Sequence, residues 1–293
     1  MRQILRFLLC FYILILLGFL FLHQNPKILK NVKEIASAYI ETFKDKIQSP
    51  QSAIRLEGKK LLPRGALTTQ VLNKKYYSLG YAESARQAEW VAYYLKREMV
   101  ELALTLLKEK KIKRINKFFE DKDIKGINPK LTDYLKSGYD RGHIVSSADM
   151  SFSEDAMKDT YFLSNISPQT REFNSGIWLK LEKLVREWTL LKGKVYIISA
   201  GILTENKGFI GKNKVLVPKN FYKIVLSLNS DDSYDIVSFI IPNEKASDLN
   251  LRNYVVSVYS IEEKTSIDFF AELDSGVKEV IKMKKDPYRW KFR

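Results

Sequence analysis

The chain changes character at Gly193, and that change limits its fold more than any other feature. Before it, Ile177, Trp178, Leu181, Leu184, Val185, Trp188 and Leu191 recur at helical spacing across residues 175–191, with Gly193 placed as a C-cap. After it, Val195–Ala200, Lys214–Val217, Phe221–Leu228 and Tyr234–Ile241 are β-branched and aromatic runs bounded by Gly, Pro, Asn and Asp, so they read as strands. These patterns imply an α+β chain. From pattern alone Ala88–Lys108, rich in helix formers, reads as a helix with Trp90, Tyr93, Tyr94, Val100, Leu104 and Leu107 as an apolar stripe. Tyr161–Ser164, aromatic and aliphatic, is expected as a short strand ahead of the 175–191 helix.

The chain has two histidines, and His143 is the one downstream of the amino-terminal hydrophobic segment. A neutral imidazole is well matched to taking a proton from water near neutral pH. Arg141 beside it is a permanent cation whose fork suits phosphate oxygens, and Gly142 between them permits close approach. The approach through Gly138 and Tyr139 to Asp140 should be extended chain that delivers the imidazole from a strand end.

Downstream of His143 the chain carries an ordered set of motifs. Asp140-Arg141-Gly142-His143 is succeeded by Ser164-Asn165-Ile166-Ser167-Pro168-Gln169, then by Asn174 shortly before Trp178, and then by Glu182. In this the sequence resembles the DNA/RNA non-specific endonucleases of the ββα-metal class, the family that includes mitochondrial endonuclease G. The resemblance covers roughly residues 77–270 and implies a central antiparallel sheet with flanking helices, with Tyr76–Tyr81 and Trp90–Leu95 as two opening strands, so that the helix read from the pattern is expected only after Lys96. It implies His143 as general base, Asn174 as direct metal ligand, Arg141 and Arg114 as transition-state cations, Asn165 as a positioning residue, and Glu182 acting on the ion through water. Mg²⁺ is the expected ion, with Mn²⁺ or another divalent cation as alternatives, and the expected products carry 5′-phosphates. Family members are often homodimers. Two departures are Ser199-Ala200-Gly201 in place of Thr-Gly-Pro, and Ser266 where glycine is common. From the residues alone, Glu182 has a second reading as an i,i+4 partner of Arg186.

Charge supports a polyanionic partner. Lys plus Arg number 49 against 34 Asp plus Glu, a net charge of +15, which favours nucleic acid through counterion release. The single cysteine, Cys10, sits in the hydrophobic segment, so the folded domain has no disulfide and no cysteine-ligated metal. Phe7–Leu22 is an apolar run behind Arg2 and Arg6 that would span about 24 Å as a helix, near the lower limit for crossing a bilayer. It reads as a signal anchor over residues 1–26 that places the catalytic domain outside the cytoplasm; the alternative is a cleaved signal peptide and secretion. Residues 27–70 read as a tether holding one short amphipathic helix, and residues 71–293 as the nuclease domain.

Two other classes stay open. One is a catalytically silent nucleic-acid binder on the same fold, such as a DNA-uptake receptor. The other is a metal phosphodiesterase acting on small molecules.

Overall fold

The computed structural model describes residues 61–292 apart from 229–233, 274 and 286, together with a few positions between 25 and 34. The Phe7–Leu22 run lies outside the described residues. Among the described residues no helix is long and apolar enough to cross a membrane. Residues 1–52 and 53–293 form two separate compact units. In the first, Lys27, Ile28, Lys30, Asn31 and Glu34 are helical, while Ile35, Tyr39, Ile40 and Phe43 of the expected amphipathic helix lie outside the described residues.

The second unit is built on a seven-stranded antiparallel sheet. From one edge to the other its strands are β1 (Gln70–Asn73), β2 (Ser78–Ala82), β3 (Gln87–Lys96), β6 (Lys194–Gly201), β9 (Asn220–Leu228), β10 (Tyr234–Pro242) and β11 (Val255–Val256). Residues 61–69, expected as part of the tether, pack on this unit: Leu61 is buried, Arg64 pairs with Asp268 across a β-bridge, and Leu67 donates its N–H to Glu89. β3 is buried along nearly its whole length, as expected of a central strand covered on both faces. At Lys96 the strand passes straight into helix α1 (Arg97–Lys108), the boundary expected from resemblance and pattern together; the helix read over residues 88–96 from pattern alone is instead the buried strand β3.

The sheet's register puts Tyr93, Ile197 and Val225 in one row and Val91, Ser199, Lys223 and Phe239 in the next, all on one face. Helix α3 (Leu179–Lys192) covers that face, with Leu181, Leu184, Val185 and Trp188 buried and Trp188 stacked on Phe239. Each large apolar side chain so buried contributes about 1.5–3 kcal/mol. Gly193 caps the helix with φ 84°, a backbone setting that favours glycine. On the opposite face Tyr222 meets Phe269 edge-on. That face also carries helix α4 (Val258–Thr265), which ends on Ser266 in the left-handed conformation, φ 56°. The serine thus occupies the left-handed turn position that glycine favours.

A second, two-stranded sheet pairs β4 (Asp140–His143) with β5 (Ile166–Gln169). This corrects one expectation. The segment Tyr161–Ser164, expected as a strand, is instead a turn running into a short 3₁₀ segment, Leu163–Asn165, and the second strand of the ββα unit begins at Ile166. The physical reason is Asn165, whose side chain binds the backbone of residues 145 and 160 and holds the chain in that turn. A third small sheet, β7 (Asn206–Ile210) with β8 (Val215–Pro218), completes the unit, with α2 (Glu154–Asp159) and α5 (Ser275–Met283) as its remaining helices.

Candidate active site

Strand alternation organises the site. In β4, Arg141 and His143 point to one side, and Asp140 and Gly142 to the other. On the first side the Arg141 guanidinium lies 4.9 Å over the Phe118 ring, and the His143 ring lies 5.6 Å from the same phenyl. Tyr161 meets His143 edge-on at 4.6 Å, and its hydroxyl accepts a 3.3 Å hydrogen bond from Arg114 Nε. His143, Arg141 and Arg114 are therefore gathered around two aromatic rings. His143 is 8% exposed, and its Nε2 has no hydrogen-bond partner. Burial, and then the neighbouring Arg114 charge, push its pKa down to about 3. In the free protein the imidazole is thus held neutral, with Nε2 unpaired.

On the other side, Asp140 is the link to Asn174. Asn174 Nδ2 donates to Asp140 Oδ2 at 3.2 Å, and Arg171 donates to Asp140 Oδ1 at 3.2 Å. This leaves the amide oxygen of Asn174 as its available donor atom. The segment holding Asn174 is not regular α-helix: Phe173–Trp178 forms a wide π-type turn, with Gly176 at φ −100°, ψ −110°, before α3 begins at Leu179. A straight-helix separation between Asn174 and Glu182 does not apply across that kink.

Gly142 is needed for space. A Cβ there would lie 2.1 Å from Cδ and Oε1 of Gln169, which is fully buried with neither amide atom paired. Gly142→Ala is expected to destabilise by about 1–3 kcal/mol through overpacking, read in a urea melt. An unchanged midpoint would mean that Gln169 has room to swing away.

Asn165 is fully buried and committed to the backbone. It accepts from Val145 N–H at 2.9 Å and donates to the carbonyls of Val145 at 3.2 Å and Thr160 at 2.8 Å. It therefore fixes the chain immediately after His143 and does not face outward.

Glu182 lies in a buried polar cluster behind that same loop. Ser146, three residues after His143, donates its hydroxyl to Glu182 Oε2 at 3.1 Å. Asp149, on the same loop, accepts from Tyr93 at 2.9 Å and from Arg186 at 2.7 Å. The i,i+4 pairing of Glu182 with Arg186 does not form, because the guanidinium turns to Asp149. The fourth charge is Lys223, 1% exposed, its ammonium 4.6 Å over the Trp178 ring. Burial pushes the Glu182 carboxyl up to about 7 against the pull of Lys223, and burial pushes Lys223 down against Glu182 and Asp149.

The structure thus places every candidate along or beside residues 140–149, but as three groups: His143, Arg141 and Arg114; Asn174 with Asp140; Glu182 with Ser146. No hydrogen bond joins the three among the described residues. None of the sequence motifs singles out Lys223, Asp149 or Tyr161. A signal for Lys223 is nevertheless present, a lone lysine inside the apolar run Phe221–Leu228.

Among the described residues no cluster of three or more His, Cys, Asp or Glu could hold a metal ion. The donor set around Asn174 suits a hard, largely hydrated divalent cation and excludes a multi-carboxylate cage.

Known proteins resemble this chain over much of its length. The family described as DNA/RNA non-specific endonuclease matches residues 59–276. The chain is 32% identical over 235 residues to the mitochondrial nuclease EXOG of Danio rerio, covering 73% of this chain and 65% of that protein. It is 30% identical to nuclease C1 of Cunninghamella echinulata (69% of this chain, 83% of that one) and 30% identical to human mitochondrial endonuclease G (68% and 69%). A crystal structure of an EndoG/EndoGI complex superposes with a TM-score of 0.67 at 26% identity, covering 77% of this chain and 94% of that one. With a matching family and an antiparallel sheet framing the β4–β5–α3 unit, this chain belongs to the DNA/RNA non-specific endonuclease family.

Proposed function

We infer that this protein is a metal-dependent, sequence-nonspecific endonuclease that hydrolyses phosphodiester bonds in DNA, RNA or both. The observation that carries the reading is His143: a buried, neutral imidazole with an unpaired Nε2, flanked by two arginines, in a chain of this family. In this scheme Nε2 takes a proton from the attacking water. Arg141 and Arg114 stabilise the charge that gathers on the phosphate oxygens. Asn165 holds the loop that carries the imidazole. Asn174 offers its amide oxygen to a divalent cation, with Mg²⁺ fitting best. Asp140 orients that amide, and Glu182 acts through the ion's waters. When bound, the ion supplies charge neutralisation and lets the 3′ oxygen leave, so that 5′-phosphate ends result. Phosphates, not base edges, are what these groups read, hence sequence-independent cutting.

A single neutral amide ligand implies weak ion affinity. Cleavage of plasmid DNA and of ribosomal RNA is expected to stop with excess chelator and to return on adding Mg²⁺. Asn174→Ala is expected to need roughly tenfold or more Mg²⁺ for half-maximal rate, the scale set by loss of a ligand-sphere group. Activity that survives excess chelator would sink the scheme.

A further inference from the structure

Phe118 does more than wall in His143. It also lines an open groove of about 890 Å³, together with the rest of residues 117–123, Leu131, Lys158 and Phe162. Within it Phe119 and Phe162 stand edge to face at 6.4 Å. Their backbones are joined by a parallel bridge, with Phe119 donating to the Tyr161 carbonyl at 3.0 Å and accepting from Leu163 at 2.8 Å. The two rings are therefore a fixed, half-buried platform.

Cations surround this platform. Lys117 and Lys158 bring ammonium groups within 5.6 and 5.8 Å of the Phe119 ring. Lys122 adds a third exposed cation to the groove. Of the three acidic residues along it, Asp121 and Asp123 are both held by Lys74 at 2.7 Å, which leaves Glu120 as the solvent-facing carboxylate without such a tie. A phenyl face flanked by lysines is the arrangement that takes an unpaired base and its neighbouring phosphates.

We propose that this groove is a subsite for single-stranded polynucleotide, in which one unpaired base stacks on the Phe119 ring, braced by Phe162 whose own face is covered by the Lys74 ammonium at 4.6 Å, and the adjoining phosphates meet Lys117 and Lys158. Its continuity with His143 through Phe118 puts this base a short distance along the strand from the bond that is cut. The proposal rests on the nuclease reading, whose substrate class it narrows.

The test measures binding, not hydrolysis. The full-length chain carrying His143→Ala, in excess chelator and at fixed salt, is titrated into fluorescein-labelled oligothymidylate and into a strand of the same length with abasic sugars. Anisotropy gives the ratio of the two affinities. The base-bearing strand is expected to bind roughly tenfold more tightly, in line with stacking of one base. Adding Phe119→Leu, which keeps an apolar side chain of similar volume, is expected to bring that ratio to about one, and Phe119→Trp to restore it. Lys158→Ala is expected to weaken both strands alike. Equal affinity for the two strands at the outset, a ratio that survives Phe119→Leu, or no binding to either would overturn the subsite. Failure of the nuclease reading would show separately, as wild-type protein that leaves both strands intact in Mg²⁺.

Discussion

Replacing His143 by alanine is expected to lower kcat on plasmid DNA by roughly 10²- to 10⁴-fold, the span of general-base contributions, with little change in the DNA concentration that saturates the protein. The imidazole is buried between Phe118 and Tyr161 and bonds nothing through Nε2, so its removal takes away the base and not a binding contact. A companion measurement reads its protonation. The ring proton signals of His143 are expected to stay flat between pH 5 and 8, because burial and Arg114 together hold the pKa down at about 3. Arg114→Ala removes the second cause and should raise the midpoint, leaving burial to keep it below the ordinary value of about 6.5. Between those values the folded chain binds fewer protons than the unfolded one. This group's share of stability is therefore complete above about pH 6.5 and lost as the pH falls toward 3. A His143→Ala protein as active as wild type would remove His143 from the mechanism, whereas a midpoint at the ordinary value of about 6.5 would mean that solvent reaches the ring.

Lys223→Met is expected to destabilise the fold by about 3–5 kcal/mol at pH 8, the cost of stripping a counter-charge from a buried ionic group. Asp149 is already served by Tyr93 and Arg186, whereas Glu182 keeps the Ser146 hydroxyl and the weaker pull of an Arg186 turned toward Asp149 once Lys223 is gone. The loss should shrink at pH 5. Burial pushes Glu182 up to about 7, so at pH 5 it carries its proton in the folded protein and needs no counter-charge. The double variant with Glu182→Gln should recover most of the stability at pH 8. Urea melts at the two pH values decide the matter: an equal loss at both would mean that Lys223 acts by packing on Trp178 and not by charge.

Much of this architecture is legible in the sequence because periodicity and burial agree. The end of α3 at Gly193 follows from apolar spacing and a glycine with positive φ, whereas the β3-to-α1 transition at Lys96 does not, since the apolar stripe runs on in helical spacing through both elements. The second strand of the ββα unit lies five residues beyond where its side chains suggest. Tyr161 and Phe162 have strand-like side chains, yet the conformation there is decided by Asn165 bonding to residues 145 and 160, a tertiary effect that local propensity does not contain. The site is half legible for a related reason. Motif residues such as His143 and Asn174 announce themselves by type and order. The groups that hold them, Asp149, Tyr161 and Lys223, do so only through contacts between elements far apart in sequence.

The buried cluster behind the His143 loop has a consequence for how the protein is made. Its members stand at positions 93, 149, 182, 186 and 223, so β3, the loop, α3 and β9 must all be present before both carboxylates have their counter-charges. A chain whose β9 is not yet in place can bond Ser146 to Glu182 and Asp149 to Arg186, but it leaves the Glu182 carboxyl without the Lys223 charge. The loop behind the proposed hydrolytic centre therefore reaches its final electrostatic setting only when β9 docks.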